Sequence, residues 1–270
     1  MPVQFESSSS AFLPQSTAPS IIVPAPTGIV KGDLLLAVGL VNQAGAIFVA
    51  ASNGLVILTQ DKPGAGNPVA FVATKIAGES EPGSFIFSHG LAGNGAWNVG
   101  ILRISGACGV EQPIAPGFTQ NIFQANPLIA PSIITVKDND LIIRAFMFDT
   151  TGSEPATVST PAGTTLREAI IGPQPPFSSD PQCHIFTEDA LKTPPGATGT
   201  ASITLAAFNG NVRGVQYTLA VEELPSGAGW AGAMPRDKEG AIIAKGKKIL
   251  NPFNLPKRHC MCPIGNCTCL

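Results

Sequence analysis

Short apolar runs, rich in β-branched and aromatic residues, recur along this chain roughly every ten residues, each closed by Gly, Pro, Asn or Asp. They are Ser20–Val23, Leu34–Val41, Ala46–Ala50, Leu55–Gln60, Val69–Ala77, Ser84–Ser88 and Trp97–Ser105. Beyond a Pro-punctuated connection they resume as Ser132–Val136, Leu141–Phe148, Thr165–Ile171, Gln182–Thr187, Thr200–Phe208 and Val212–Val221. A 3.6-residue apolar period is nearly absent, and only Glu188–Lys192 reads as a helical turn. The pattern predicts an all-β chain. Composition agrees: charged residues make up 13%, too few to solvate the surface of a helical bundle, against about 25% in ordinary domains. Gly and Pro, 29 and 25 of 270 residues, supply the turns. A net charge of −2 excludes disorder driven by charge.

The arrangement of the runs predicts an antiparallel β-sandwich. Val30-Lys-Gly-Asp33-Leu-Leu-Leu36 is echoed by Val136-Lys-Asp-Asn-Asp140-Leu-Ile-Ile143, and Ser52–Leu58 more weakly by Pro161–Leu166. Each half ends in a long strand, Trp97–Arg103 or Val212–Tyr217. Two similar halves can press their apolar faces together as one sandwich; tandem small sandwiches are the alternative. Strand 97–105 is apolar on both faces, as is 141–148, so extra layers or a neighbouring subunit must cover the outer sides. Asn53-Gly54 predicts a hairpin, because both residues accept positive φ. Residues 1–18, with the Ser7–Ser10 run, read as an N-terminal leader, 19–225 as the sandwich and 226–270 as an extended C-terminal arm.

Charge divides at the same boundary. Residues 1–225 hold nine Lys/Arg and sixteen Asp/Glu, a net −7; residues 226–270 hold seven Lys/Arg and two acids, a net +5. Such an arm is expected to dock on a neighbouring copy or another acidic partner. Its anchors are Trp230, Ile242, Ile243 and Phe253; its charges include Lys245, Lys247, Lys248, Lys257 and Arg258. Lys245–Lys248 alone is too small a basic patch for nucleic acid. The arm ends in His259, Cys260, Cys262, Cys267 and Cys269. Four thiols and an imidazole in eleven residues suit a tetrahedral structural zinc; disulfides and free thiols stand beside that reading.

The start of the chain shows neither a basic n-region nor an apolar h-region, so no signal peptide is expected. No apolar stretch approaches the ~20 residues that span a bilayer, so no membrane insertion is expected. Three histidines and one tyrosine leave few groups for acid–base work near neutral pH, and neither a phosphate-binding loop nor a nucleophile elbow is present. Lys137–Asp140 offers oxygens to calcium but reads first as an Asx-type turn. Cys183 and His184 fall on opposite faces of a strand, poor geometry for a thiolate pair. His89 beside Gly90 reads as a loop residue.

Pro26–Val41, with its Gly-Asp-Leu-Leu-Leu, and the echoes at Asp140-Leu141 and Ala162-Gly163-Thr164 resemble a motif of β-sandwich (jelly-roll-like) virion proteins of tailed bacteriophages. The resemblance covers about residues 19–223; Leu55 stands where that group often has Trp, and the Cys-rich end is not part of it. It implies a non-enzymatic virion component, a capsid decoration (cement) protein or a tail-associated fibre or baseplate protein, and carries over no catalytic residue. Localisation in the virion, assembly as a trimer or dimer with other virion proteins, and contact with a host surface receptor are the corresponding expectations. A receptor- or glycan-binding module, using loops 89–96 and 172–181 with Trp97 nearby, is the alternative. A hydrolase built on Asp180, His184 and Glu188 is the remote one.

Overall fold

The computed structural model describes residues 2–16, 18–42, 49–64, 68–90, 95–111, 114–123, 127–150, 157–172, 180–206 and 211–225, and the strand residues 243–244 and 247–248. Every regular element among them is a β-strand, so the all-β expectation is met. The chain forms two compact units, Met1–Glu223 and Leu224–Leu270.

The first half of the larger unit holds β1 (Gln4–Ser16), β2 (Ser20–Pro24), β3 (Leu34–Asn42), β4 (Val49–Ala51), β5 (Val56–Asp61), β6 (Val69–Ile76), β7 (Ser84–His89) and β8 (Gly95–Ser105). A five-stranded antiparallel sheet runs β1-β8-β3-β6-β5, and a three-stranded sheet runs β2-β7-β4. The second half holds β9 (Ala107–Val110), β10 (Ala115–Phe123), β11 (Leu128–Ala130), β12 (Leu141–Thr150), β13 (Thr157–Val158), β14 (Thr164–Ile171), β15 (Asp180–Glu188), β16 (Ala201–Ile203), β17 (Leu205–Ala206) and β18 (Asn211–Glu223). Its large sheet runs β10-β18-β12-β15-β14, with β9 also on β18; its small pairs are β11-β16 and β13-β17. With β9 set aside, the two large sheets visit their strands in the same chain order.

Alternation along the central strands decides how the layers stack. In β3, Leu34, Leu36, Val38 and Leu40 face the second half, in one cluster with Leu141, Ile143, Ala145 and Met147 of β12 and Val215, Tyr217 and Leu219 of β18. The opposite face of β3, Leu35, Ala37 and Val41, packs with Val23, Phe85 and Phe87 of the small sheet. Likewise the outer residues Phe146 and Phe148 of β12 meet Leu128, Ile203 and Leu205. Small sheet, large sheet, large sheet and small layer therefore stack in that order. This is why strands 97–105 and 141–148 are apolar on both faces: extra layers of the same chain cover them. Each wholly buried Leu, Val or Phe contributes roughly 1.5–3 kcal/mol, and the middle cluster contains both halves.

Polar pins cross the middle layer. Asn98, wholly buried, donates from Nδ2 to the Ile170 carbonyl at 3.1 Å and also to that of Pro181. The Tyr217 hydroxyl donates to Asp61 Oδ2 at 2.8 Å. Ser8 Oγ donates to the Arg167 carbonyl at 3.2 Å.

Four expectations are corrected. Residues 1–18 are not a leader apart from the sandwich: Gln4–Ser16 pairs with β8 as an edge strand, because the other edge of that strand is taken by β3. Asn53-Gly54 does turn, with φ of 58° and 80° and a Leu55 N–H to Ser52 carbonyl bond of 3.3 Å. It makes no hairpin, however, since β4 joins the small sheet and β5 the large one. The Gln60 amide stitches this corner instead, accepting from Val49 N at 2.7 Å and donating to its carbonyl at 2.9 Å. Ser132–Val136 forms only an isolated bridge, Ile134 with Ala197; of Thr200–Phe208, the described residues are divided between β16 and β17, and 207–208 lie outside them. Glu188–Lys192 forms no helical turn: Glu188 ends β15 and Lys192 bridges to Asp140.

Candidate functional site

Most of the residues expected to act in assembly lie outside the described residues: Trp230, Ile242, Phe253, Lys245, Lys257, Arg258, His259, Cys260, Cys262, Cys267 and Cys269. In the smaller unit, β19 (Ile243–Ala244) and β20 (Lys247–Lys248) form a two-rung antiparallel ladder, with Ile243 opposite Lys248.

In the larger unit, two histidines and the tryptophan are structural. His89 is not a loop residue: it ends β7, is buried, and stacks on Trp97 with centroids 5.2 Å apart. Trp97 is wholly buried under the small sheet, so it presents no platform to a glycan. His184 stacks on Phe148 at 5.8 Å, with Nε2 3.3 Å from Gln182 Oε1. Burial lowers its pKa to about 4, holding the imidazole neutral. Cys183, on the opposite face, is sealed in the middle core, and burial pushes its thiol far up. Alternation along β15 thus parts the two as the sequence indicates.

Among the described residues, Arg144 is a wholly buried cation. Its guanidinium reaches Glu188 Oε1 at 2.6 Å, Thr218 Oγ1 at 2.6 Å and the Thr198 carbonyl at 3.1 Å. These bonds pin β12 to β15, β18 and the 198–202 segment at a polar hollow of about 440 Å³. Its donors are engaged internally, so the hollow offers Thr164, Thr200 and Ser202 rather than a free charge.

A second polar cluster lies at one end of β12, where the halves can be compared. Asp33 and Asp140 each precede their long strand. Asp33's carbonyl accepts from Ala77 N at 2.8 Å, and Asp140's from Lys192 N at 2.8 Å. The residues before them, Gly32 and Asn139, both have positive φ, 92° and 65°. The side chains diverge. Asp33 Oδ2 accepts from Arg103 Nε at 2.6 Å and from Val30 N at 2.9 Å. The register that puts Arg103 opposite Leu35 puts Ala220 opposite Ile142, so the second half has no guanidinium there. Val136, the counterpart of Val30, donates its N–H to Glu111 at 3.1 and 3.2 Å. Asp140 is wholly buried, and neither of its carboxyl oxygens meets a donor. Burial first, then the neighbouring Glu111 and Glu222, raises its pKa to about 7 against the opposing pull of Lys137.

The calcium reading of Lys137–Asp140 resolves into a turn. Asp138 Oδ1 accepts from Thr193 Oγ1 at 3.0 Å, and Asn139 Nδ2 donates to Glu223 Oε2 at 2.9 Å. Among the described residues no three His, Cys, Asp or Glu side chains are grouped to hold a metal ion. Nor is any helix among them long and apolar enough to cross a membrane. The Asp140–Glu111 contact was not legible in the sequence, since Glu111 lies far from the 137–140 turn; the lone Val-Lys-x-(x)-Asp echo was the one available pointer. Compared with known proteins, the chain matches no family model, no curated protein and no solved structure.

Proposed function

We propose that this chain is a non-enzymatic structural component of a phage particle, a capsid decoration or tail-associated protein, assembling through its sandwich and its basic C-terminal arm. The supporting observation is the contrast between its two units. The larger spends its buried polar groups on internal pins, and residues 1–225, almost coextensive with it, carry net −7 against +5 for 226–270. Opposite charge favours association between copies at modest ionic strength. The strand orders favour a jelly-roll-like reading, in which strands of the large sheet and of the small outer layer alternate along each half of the chain. The partners are copies of the chain, as a trimer or dimer, and other virion proteins; a host surface receptor is a further partner. The Cys260–Cys269 cluster would serve as a structural zinc or disulfide staple for a segment with little core of its own.

The test is truncation after Pro225. Multi-angle light scattering should read a dimer or trimer for the full chain and a monomer for the truncated one. Antibodies raised against the larger unit should label intact particles carrying the full chain but not the truncated one. A full chain that stays monomeric at high concentration and low salt would sink the arm's role, and unlabelled particles would sink the virion assignment.

A further inference from the structure

The Asp140 corner has a charge problem that the first half solves with Arg103. Asp140 and Glu111 are both buried at the 136–140 turn, where Glu111 accepts the Val136 amide, and Glu222 reaches the same turn from β18 through Lys137. Both Asp140 oxygens lack a donor. Two like charges buried there repel strongly, because little water screens them. Lys137 pairs with Glu222, which also accepts from Cys108 Sγ at 3.4 Å. Lys192 meets Asp140 through its backbone amide. Glu223 is occupied by Asn139.

We propose that Asp140 is a proton-binding site: its carboxyl carries a proton and donates it to the Glu111 carboxylate, closing the corner between β9, the 132–140 segment and the end of β18. The proton does the work that the Arg103 guanidinium does for Asp33. When it leaves to solvent, the carboxylate pair repels, and the corner from which the chain continues past Glu223 loosens.

The sign follows from linkage. Folded Asp140 holds its proton up to about pH 7, whereas an unfolded aspartate loses it near 3.8. Its stabilising contribution is therefore complete below the unfolded value and is lost as pH rises toward 7. The test uses the full chain with the Asp140→Asn and Glu111→Gln variants, followed by urea unfolding from about pH 5 to 8.5 and by infrared difference spectroscopy of protonated carboxyls over the same range. Asn mimics the protonated acid and donates to Glu111. Relative to wild type, Asp140→Asn should gain stability as pH rises, by several-fold or more in the folding equilibrium constant at pH 8, and should lack the carboxylic-acid band. In Glu111→Gln the neighbouring charge is gone and the amide can donate to Asp140, so the band should disappear at a lower pH than in the wild type, even if the first variant folds poorly. Persistence of the band in Asp140→Asn, its disappearance at an unshifted pH in Glu111→Gln, or a constant loss of stability in Asp140→Asn at every pH, would overturn the proposal. So would rescue of the wild type at pH 8 by added calcium or magnesium with none for Asp140→Asn, since a metal ion would then hold the site.

Discussion

At the scale of single residues, burial assigns roles that residue type alone does not. His184 and Asp140 are both titratable and buried, and their effects on stability run in opposite directions. His184 has its folded pKa lowered from 6.5 to about 4, so its contribution is present above 6.5 and is lost as pH falls between the two values. Asp140 loses its contribution as pH rises over an overlapping window. The two slopes partly cancel in the native chain. Replacing His184 by Phe, which can keep the stack on Phe148, should leave a stability that declines steadily from pH 4 to 7 in urea titrations. Tyr217 provides a simpler case. Its hydroxyl bonds Asp61 across the two halves at 2.8 Å, and burial beside that acid raises its pKa well above 10. Tyr217→Phe should cost about 1 kcal/mol by urea denaturation, because Thr59 Oγ1 still donates to Asp61 at 2.6 Å.

At the scale of elements, apolar runs rich in β-branched and aromatic residues and closed by turn residues were the readable signal. Those runs located β3, β6, β7, β8, β12, β14, β15 and β18 to within a few residues, and alternation along β15 placed Cys183 and His184 on opposite faces. The signal failed where a strand is polar and takes its apolar neighbours from elsewhere. Edge strand β1 opens with a serine run that carries no alternation of its own and is held by the ladder to β8. Asn53-Gly54 failed differently: the turn chemistry is local and was right, but which sheet each flanking strand joins depends on distant partners, β7 and β6. Close strand packing also leaves a mark that one sequence does not advertise. A Cβ at Gly214 would lie 2.3 Å from the Met147 carbonyl oxygen and 2.7 Å from Phe148 Cβ. Gly214→Ala should therefore split β18 from β12 locally and cost about 3 kcal/mol or more, seen as a lowered urea midpoint or as insoluble expression.

At the scale of the whole molecule, the doubling of apolar faces on the central strands already implied more than two layers, and the structure accounts for it with an outer layer on each half. The sandwich expectation holds for the two large sheets; the strands of the outer layers were not legible because β4, β11, β13, β16 and β17 are two or three residues long and too brief to show a period. The expected assembly residues were legible in charge and composition, and nearly all lie outside the described residues. Because the larger unit ends at Glu223, removal of everything after Pro225 should leave its melting temperature unchanged within a degree or two while abolishing self-association. The last strand of that unit has a mechanical consequence. β18 is laddered to β12 through ten consecutive residues on one side, and to β10 and β9 on the other. Tension entering the chain beyond Glu223 would run along this strand's axis and strain those hydrogen bonds together, in shear, instead of peeling them apart singly, so the body is built to bear a pull delivered through its end.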